Sequence, residues 1–356
     1  MSRQIPPRQG RQGFYDKLFA GYLFAVSPIG VYFAASDEYR SNSIFTTSAV
    51  VTGIFGLIVI IIAEGLSRPP HNGPYEFVKH DEKKGKRDED ERVLVCLGDS
   101  LTHGMCSAKW VDDIAPSLTK LWRESGRTKA APNLEVVNAG QNSICSITVL
   151  QEKVNHVAAC RPDYIFILIG SNDAMAIYRD DWAREKMHTW GLKERPNENG
   201  LIRNLKDIVQ ALLDQTTAVI AIATLPPFGE NFDSDSNKVI QSINSRIKTL
   251  EYLFLGEIKN DSKETERVSV IDINSALWDE IYGQRNTSAA RATHSIDNFL
   301  PYAIVMGMLH CVFGLSWNAV TRLLTGNVVL SESLHLNEDG ALILKNEVVR
   351  WLMDKL

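Results

Sequence analysis

The chain opens with two long apolar stretches, before any regular alternation of apolar and polar positions begins. They cover residues 18–35 and 44–63. Each approaches the ~20 residues that a helix needs to cross a bilayer. The second is aliphatic and free of charge, whereas the first contains polar residues and a proline. The pattern predicts two transmembrane helices, and a buried helical hairpin is the alternative.

The charged residues around these stretches predict an orientation. Basic residues occur in the N-terminal tail and again after residue 67, whereas the short loop between the stretches holds Asp37, Glu38 and Arg40. Because positively charged flanks stay on the cytoplasmic side, both ends of the hairpin are expected inside. We therefore predict a membrane anchor over residues 1–67, with the rest of the chain cytosolic. If the first stretch did not span, the rest of the chain could instead face the lumen.

Residues 68–92 interrupt the apolar pattern. Pro69, Pro70, Gly73 and Pro74 disfavour regular structure, and a run of interleaved acidic and basic residues follows. Such a run is typical of a solvated tether, so we predict a charged linker here. Contact with anionic lipid head groups is the alternative, although the interleaved acids weaken it.

From Val93 onward, short runs of Val and Ile alternate with longer helical patterns. Apolar strands separated by helices predict a parallel sheet covered on both faces, and therefore an α/β domain over residues 93–356. Sites in such sheets form at the carboxyl ends of the strands. The predicted strands are residues 93–97, 135–138, 164–169, 219–224 and 268–273. The predicted helices are about 108–123, 143–159, 201–215, 237–257 and 337–353.

Composition narrows the classes of function. The formal net charge is −5, and nothing points to nucleic-acid binding, which would need a clustered basic face. Five cysteines without a Cys-x-x-Cys pair argue against a disulfide framework and against a structural zinc site. The length of 356 residues fits one catalytic domain with additional segments.

Three of the predicted strands end in short polar motifs that contain glycine. GDSLTHG places Ser100 before a helix. At such a position the hydroxyl of a nucleophile is exposed, and the helix N-terminus favours the negative charge that develops during its attack. NAGQNS contains Gly140 and GSND contains Asn172. A glycine N–H and an asparagine amide can both donate to an oxyanion. Taken singly, each motif is more typical of an ordinary turn or helix cap.

One histidine has a setting that the other seven lack. His335 stands in SESLHLNEDG, just before the last predicted helix and three residues after Glu332. A lone histidine is more often structural than catalytic. His103 is close to Ser100 in sequence, but it lies on the outgoing turn.

These four segments, in this order and at these strand ends, resemble the motif blocks of the GDSL or SGNH hydrolase family. GDSLTHG resembles the nucleophile block, NAGQNS the glycine block, GSND the asparagine block and ESLHLNEDG the C-terminal block. TLPP at 224–227, followed by Asn244, resembles the connecting region. The resemblance covers about residues 93–356. It implies a three-layer α/β/α, flavodoxin-like domain around a five-stranded parallel sheet.

The resemblance also implies a role for each matching residue. Ser100 would attack an acyl carbonyl, with His335 as its general base. The backbone N–H groups of Ser100 and Gly140 and the side chain of Asn172 would form the oxyanion hole. No metal or cofactor would be needed.

Glu332 departs from the family pattern, which usually has Asp at this position. A glutamate is one methylene longer but still accepts a hydrogen bond from an imidazole. We therefore expect Glu332 to orient His335; alternatively, a backbone carbonyl orients the ring and Glu332 lies on the surface. Asp99 and Asp173 would fix turns rather than take part in catalysis.

A further apolar stretch at about 299–317 precedes His335. A membrane span there would separate His335 from Ser100, so a lid or interfacial helix is expected, with a plain core helix as the alternative. Together with the anchor, this stretch suggests hydrolysis of a lipid-like acyl ester or thioester through an acyl-enzyme on Ser100. An acyltransferase that uses the same acyl-enzyme and a catalytically silent, membrane-tethered binding module are the alternatives. Glycan deacetylation, known for the family, fits a cytosolic orientation less well.

Overall fold

The computed structural model describes residues 46–54, 56–57, 68–85, 87–257, 267–285 and 296–356. The first predicted membrane stretch, residues 18–35, lies outside these ranges. Of the second, only residues 46–54 and 56–57 are described, and they are helical. Among the helices of the described residues, none combines the length and the apolar character that crossing a bilayer requires.

A parallel five-stranded sheet forms the centre of the protein, which confirms the predicted α/β fold. Its strands are β1 (Glu91–Gly98), β2 (Asn133–Gly140), β3 (Tyr164–Leu168), β4 (Val219–Ala223) and β5 (Val268–Ile271). They lie in the order β2-β1-β3-β4-β5, which is the flavodoxin-like order. Every residue of β3 is buried, because a sheet covered on both faces needs apolar side chains throughout.

Helices connect the strands and pack in two groups. They are α1 (Pro74–Lys84), α2 (Ser100–His103), α3 (Ile114–Glu124), α4 (Ser146–Glu152), α5 (Val154–Ala159), α6 (Ser171–Tyr178), α7 (Asp180–Trp190), α8 (Glu198–Gln215), α9 (Asp235–Glu257), α10 (Ile273–Arg285), α11 (Phe299–Phe313), α12 (Trp317–Leu324) and α13 (Glu338–Lys355). In one group α8 packs against α4, α5 and α9; in the other, α13 packs against α3 and α10. Right-handed crossovers that run in opposite directions along a sheet lie on opposite faces, so the two groups cover the two faces.

The predicted helices are present, but two of them are divided. The stretch 108–123 contains a 3₁₀ turn, Trp110–Asp113, followed by α3, whose first turn holds Pro116 at a position that needs no N–H. The stretch 143–159 contains α4 and α5, which meet at Lys153. Helix α7 was not predicted; Ala183 and Lys186 are buried on it, and Trp182 and Trp190 pack against the core while partly buried.

The segment predicted as a solvated linker contains the helix α1, and the prediction of a fully solvated tether was wrong here. Pro74, predicted to break structure, occupies the first helical turn, where proline is favoured. Val78 is fully buried. The buried carboxylate of Asp81 pairs with Arg87 at 3.0 Å and with Arg161 at 2.8 Å. Part of the mixed charge therefore attaches this segment to the domain.

The apolar stretch at 299–317 forms α11 and reaches the start of α12. Helix α11 has 15 residues, which is roughly 22 Å of helix and shorter than the ~30 Å hydrocarbon core of a bilayer. Met306, Trp317 and Val320 pack with Cys106 in a small cluster that is separate from the main core. The two helices therefore rest on the chain that follows α2.

Candidate active site

Ser100 follows β1 almost directly and begins the short helix α2. Asp99 caps this helix by accepting a hydrogen bond from the Leu101 N–H at 3.0 Å. Gly98 has no room for a side chain, because a Cβ would overlap Thr102 and the Leu168 carbonyl oxygen. The tight turn therefore holds Ser100, largely buried, at the carboxyl edge of the sheet.

Two distant residues meet Ser100 at this edge. His335 Nε2 lies 3.0 Å from Ser100 Oγ. On the other side of the imidazole, Nδ1 is hydrogen-bonded to Glu332 Oε1, and the His335 N–H donates to the same oxygen at 3.3 Å. Both side chains are buried. The structure thus brings Ser100, His335 and Glu332 into the arrangement of a catalytic triad.

The loop that carries Glu332 and His335 is fixed by hydrogen bonds from neighbouring side chains. The Ser331 hydroxyl is hydrogen-bonded to the Glu332 carboxylate, and its oxygen also lies 3.0 Å from the Cys106 carbonyl oxygen. The Ser331 N–H donates to the His335 carbonyl oxygen at 2.7 Å. Asn327 Nδ2 donates to the Glu332 carbonyl oxygen. The sequence patterns assigned no role to Ser331, the first residue of SESLHLNEDG, or to Asn327, four residues before it.

The electrostatics of the loop favour an ionised Glu332. Burial alone would raise the pKa of this carboxyl group, but the His335 ring and the Ser331 hydroxyl outweigh burial and hold the pKa below its ordinary value. An ionised Glu332 accepts a hydrogen bond from Nδ1–H. That bond fixes the tautomer in which the lone pair of Nε2 faces Ser100.

Gly140 ends β2 beside Gly98. A Cβ at Gly140 would overlap the backbone of Thr102 and His103, so the close approach requires glycine. The Gly140 N–H donates to Asn138 Oδ1 at 2.9 Å, and Asn138 Nδ2 donates to the Thr102 carbonyl oxygen at 2.9 Å. The amide predicted for the oxyanion hole therefore already has an acceptor within the protein.

Asn172 lies in the first turn of α6, just beyond the end of β3. Its Nδ2 donates to the Ile144 carbonyl oxygen at 3.1 Å. Since the amide nitrogen carries two hydrogens, this contact leaves the second for a ligand. Asn172 is buried, so any such hydrogen bond would form out of bulk water.

Asp173 and Asp99 have structural contacts, as their positions in turns predict. Asp173 accepts from the Ser146 N–H at 2.9 Å and from its hydroxyl at 2.7 Å. Asn204 donates to the same Ser146 hydroxyl at 2.9 Å, which links α4, α6 and α8. Burial raises the pKa of each aspartate to about 6. These carboxylates hold helix starts around the site.

The sequence of this region matches the model of the GDSL-like lipase/acylhydrolase family over residues 96–251. The chain carries a GDSL-like acylhydrolase domain. The matched range includes Ser100, Gly140 and Asn172, and it ends before Glu332 and His335. With this domain, the protein is a carboxylic ester hydrolase.

Solved structures with a similar backbone include esterases that act on acetylated xylan. An acetylxylan esterase from Geobacillus stearothermophilus aligns at a TM-score of 0.47 and 15% identity, covering 73% of this chain and 93% of that chain. The acetyl xylan esterase AlAXEase aligns at a TM-score of 0.46 and 12% identity, covering 73% of this chain and 98% of that chain. Similarity at this level bears on neither substrate nor mechanism. Among curated proteins, none matches the sequence of this acylhydrolase.

Proposed function

We propose that this acylhydrolase is a serine esterase that cleaves an ester or thioester of a lipid-like acyl chain through an acyl-enzyme on Ser100. The observation that carries the proposal is the buried series of contacts from Glu332 through His335 to Ser100, with 3.0 Å between Nε2 and Oγ. A serine is a weak nucleophile until an adjacent base accepts its proton, and this geometry supplies that base.

The triad accounts for both halves of the reaction. Ser100 Oγ bonds to the acyl carbon while its proton passes to His335 Nε2, and the ionised Glu332 stabilises the imidazolium. His335 then returns the proton to the leaving alcohol or thiol as its bond to the acyl carbon breaks. In the second half, a water oxygen attacks the acyl carbon and His335 takes a proton from it. That proton passes to Ser100 as the acid leaves.

The developing oxyanion lies between the starts of α2 and α6 in this mechanism. The Ser100 N–H and the second amide hydrogen of Asn172 donate to it. Gly140 takes part by sharing its hydrogen between the oxyanion and Asn138 Oδ1. A shared hydrogen bonds each acceptor more weakly, so Gly140 contributes less than Asn172.

An apolar surface beside the site supports a lipid-like substrate. Helix α11 contains no Asp, Glu, Lys or Arg. The exposed fractions of Ile304, Phe313 and Leu323 are 50%, 64% and 66%, which a plain core helix would not show. The same helices pack on Cys106, whose carbonyl oxygen binds Ser331 in the catalytic loop. Such a surface fits the boundary between lipid head groups and acyl chains. With residues 1–67 as a membrane anchor, the domain would lie at the cytosolic face.

Labelling with a fluorophosphonate probe tests the nucleophile. Wild-type protein is expected to label and Ser100→Ala to remain unlabelled, with both folded by circular dichroism. Ser269→Ala is the matched control and should label normally, because β5 is separated in the sheet from β1, which carries Ser100 at its end, by β3 and β4. Labelling of Ser100→Ala would refute the assignment. Absence of labelling in folded wild type would favour the binding-module alternative.

Acyl esters of increasing chain length, presented with and without an added alcohol, then test the substrate class. Hydrolysis that increases with chain length supports the lipid-like substrate. Preference for short esters would contradict it, and product that partitions to the added alcohol would identify an acyltransferase.

A further inference from the structure

Glu230 is a fully buried carboxylate that the proposed mechanism does not use. Its Oε1 accepts hydrogen bonds from the N–H groups of Val328 and Val329, both at 2.8 Å, and of Leu330 at 3.1 Å. Its Oε2 accepts from the Val328 N–H at 2.9 Å. Successive backbone N–H groups that converge on one anion form an anion-binding nest, and here the anion belongs to the protein itself.

The three amides stand at the start of the segment that carries the catalytic pair. Leu330 precedes Glu332 by two residues and His335 by five. Next to Glu230, the Gly229 N–H donates to the Ser333 carbonyl oxygen at 2.7 Å. Glu230 therefore holds this segment before Glu332, and Gly229 holds it between Glu332 and His335.

The turn that presents Glu230 is itself fixed from α9. Asn237 Oδ1 accepts from the Phe228 N–H at 2.8 Å. The carbonyl oxygens of Phe228, Gly229 and Asn231 lie 3.0, 3.0 and 2.8 Å from Asn237 Nδ2, which shares its two hydrogens among them. Asn237 thus fixes the turn that carries Glu230, and Glu230 in turn fixes the backbone of residues 328–330, which precede Glu332.

We propose that Glu230 is a positioning residue for the esterase, and that its bonds to Val328, Val329 and Leu330 set the alignment of His335 between Glu332 and Ser100. This inference rests on the proposed function, because it assigns a role in the same triad. The negative charge matters, since hydrogen bonds to an ionised acceptor are roughly twice as strong as neutral ones. If Gln replaced Glu230, its side-chain NH₂ group would face a backbone N–H of the nest, and two donors without an acceptor would oppose each other.

The test compares Glu230→Gln with wild type in the full-length protein. The measurements are the second-order rate of fluorophosphonate labelling, its dependence on pH and the thermal midpoint of unfolding. Misplacement of a catalytic group by ~1 Å costs about 10²-fold, and we expect a loss of that order in the labelling rate. A poorly aligned Glu332 stabilises the imidazolium less. The acid limb of the pH profile should therefore move to lower pH.

A matched control separates positioning from simple loss of stability. Asp81→Asn also removes a buried carboxylate, but its ion pairs join α1 to Arg87 and to Arg161, which follows α5, rather than to the catalytic loop. We expect this variant to lower the thermal midpoint without changing the labelling rate or the acid limb. Glu230→Asp keeps the charge but shortens its reach, and it should show both changes to a smaller extent. It keeps the test possible even if Glu230→Gln does not fold.

The outcomes are distinguishable. Wild-type labelling rates in the Glu230 variants, or slow labelling with an unchanged acid limb, would overturn the positioning role. Wild-type protein that is folded but does not label would refute the proposed function instead.

Discussion

The two halves of the candidate site are held in place by different means. Ser100 stands at a strand end, and its position follows from backbone packing that leaves no room for a side chain at Gly98. His335 stands on a loop that is held by side-chain contacts, among them those of Ser331 and Glu230. The sheet half, around Ser100, depends on close packing of the backbone. The loop half, around His335, also packs in the main core through Leu330 and Leu336, but its catalytic side chains are aligned by individual side-chain hydrogen bonds. Activity and stability should therefore be separable in the loop half and inseparable in the sheet half.

The largest expected effect tests the loop half. Glu332→Gln should lower kcat by about 10⁴-fold, because an amide can favour the wrong tautomer of His335, while the thermal midpoint changes little. His335→Ala removes the base and should cost about 10⁶-fold. Steady-state kinetics and thermal unfolding of both variants measure the contrast. Equal losses of kcat would make the acid indispensable, and a large fall in the midpoint for Glu332→Gln would remove the separation between the halves.

Gly98→Ala tests the sheet half. The added Cβ meets Thr102 and the Leu168 backbone, so we expect the free energy of unfolding to fall by about 3 kcal/mol and labelling of Ser100 to fall with it. Gly283→Ala is the control, since a Cβ there meets nothing within 4 Å and alanine favours the helix α10. Chemical denaturation and labelling measure the two quantities. If Gly98→Ala lowered the stability while Ser100 still labelled at the wild-type rate, activity and stability would be separable in the sheet half as well, and the comparison would fail.

The buried Asp173, which follows β3 in the sheet half of the site, should make the stability of the protein depend on pH. Its pKa is raised to about 6 from 3.8, so between these values the folded protein binds more protons than the unfolded chain. The free energy of unfolding due to this group therefore falls as pH rises from about 4 to about 6, by about 2–3 kcal/mol. Asp173→Asn removes this dependence. Denaturation of both proteins across this range should give a difference that changes with pH, and a constant difference would contradict the raised pKa.

The smallest expected effect lies outside both halves. Phe313→Ser and Leu323→Ser change exposed side chains and should leave hydrolysis of a soluble ester unchanged. On an ester presented in vesicles, the loss of apolar contact area should lower the rate several-fold. Leu342→Ser, on the exposed side of α13, is the control. Equal rates for all three variants on vesicles would argue against α11 and α12 as the lipid-facing surface.

Most of the sheet and the triad could be predicted from the sequence. Five runs rich in Val and Ile mark the strands, because a doubly covered sheet admits few other side chains. Ser100 and His335 stand out by the order of their motifs. The Asn138 contact to Gly140 spans only two residues, and the tendency of Asn to bond nearby backbone could have indicated it.

The supports of the catalytic loop could not be predicted in the same way. Glu230 binds backbone amides 98 to 100 residues away. Backbone amides are the same at every position, so such a contact leaves no trace in the residue types of the partner. The helix α1 escaped prediction for a related reason, because Asp81 finds Arg161 80 residues further on. Contacts of this kind depend on the finished fold.

The separation of the triad along the chain has a consequence for biosynthesis. Ser100 and His335 are 235 residues apart, and α13 follows His335 directly. Helix α13 packs against α3 and α10, so closing the site is coupled to docking the last helix. A chain that emerges from its N-terminus can complete all five strands while its serine still lacks a base. Activation of Ser100 by His335 therefore requires that the segment 327–335 has been synthesised and has folded onto the sheet.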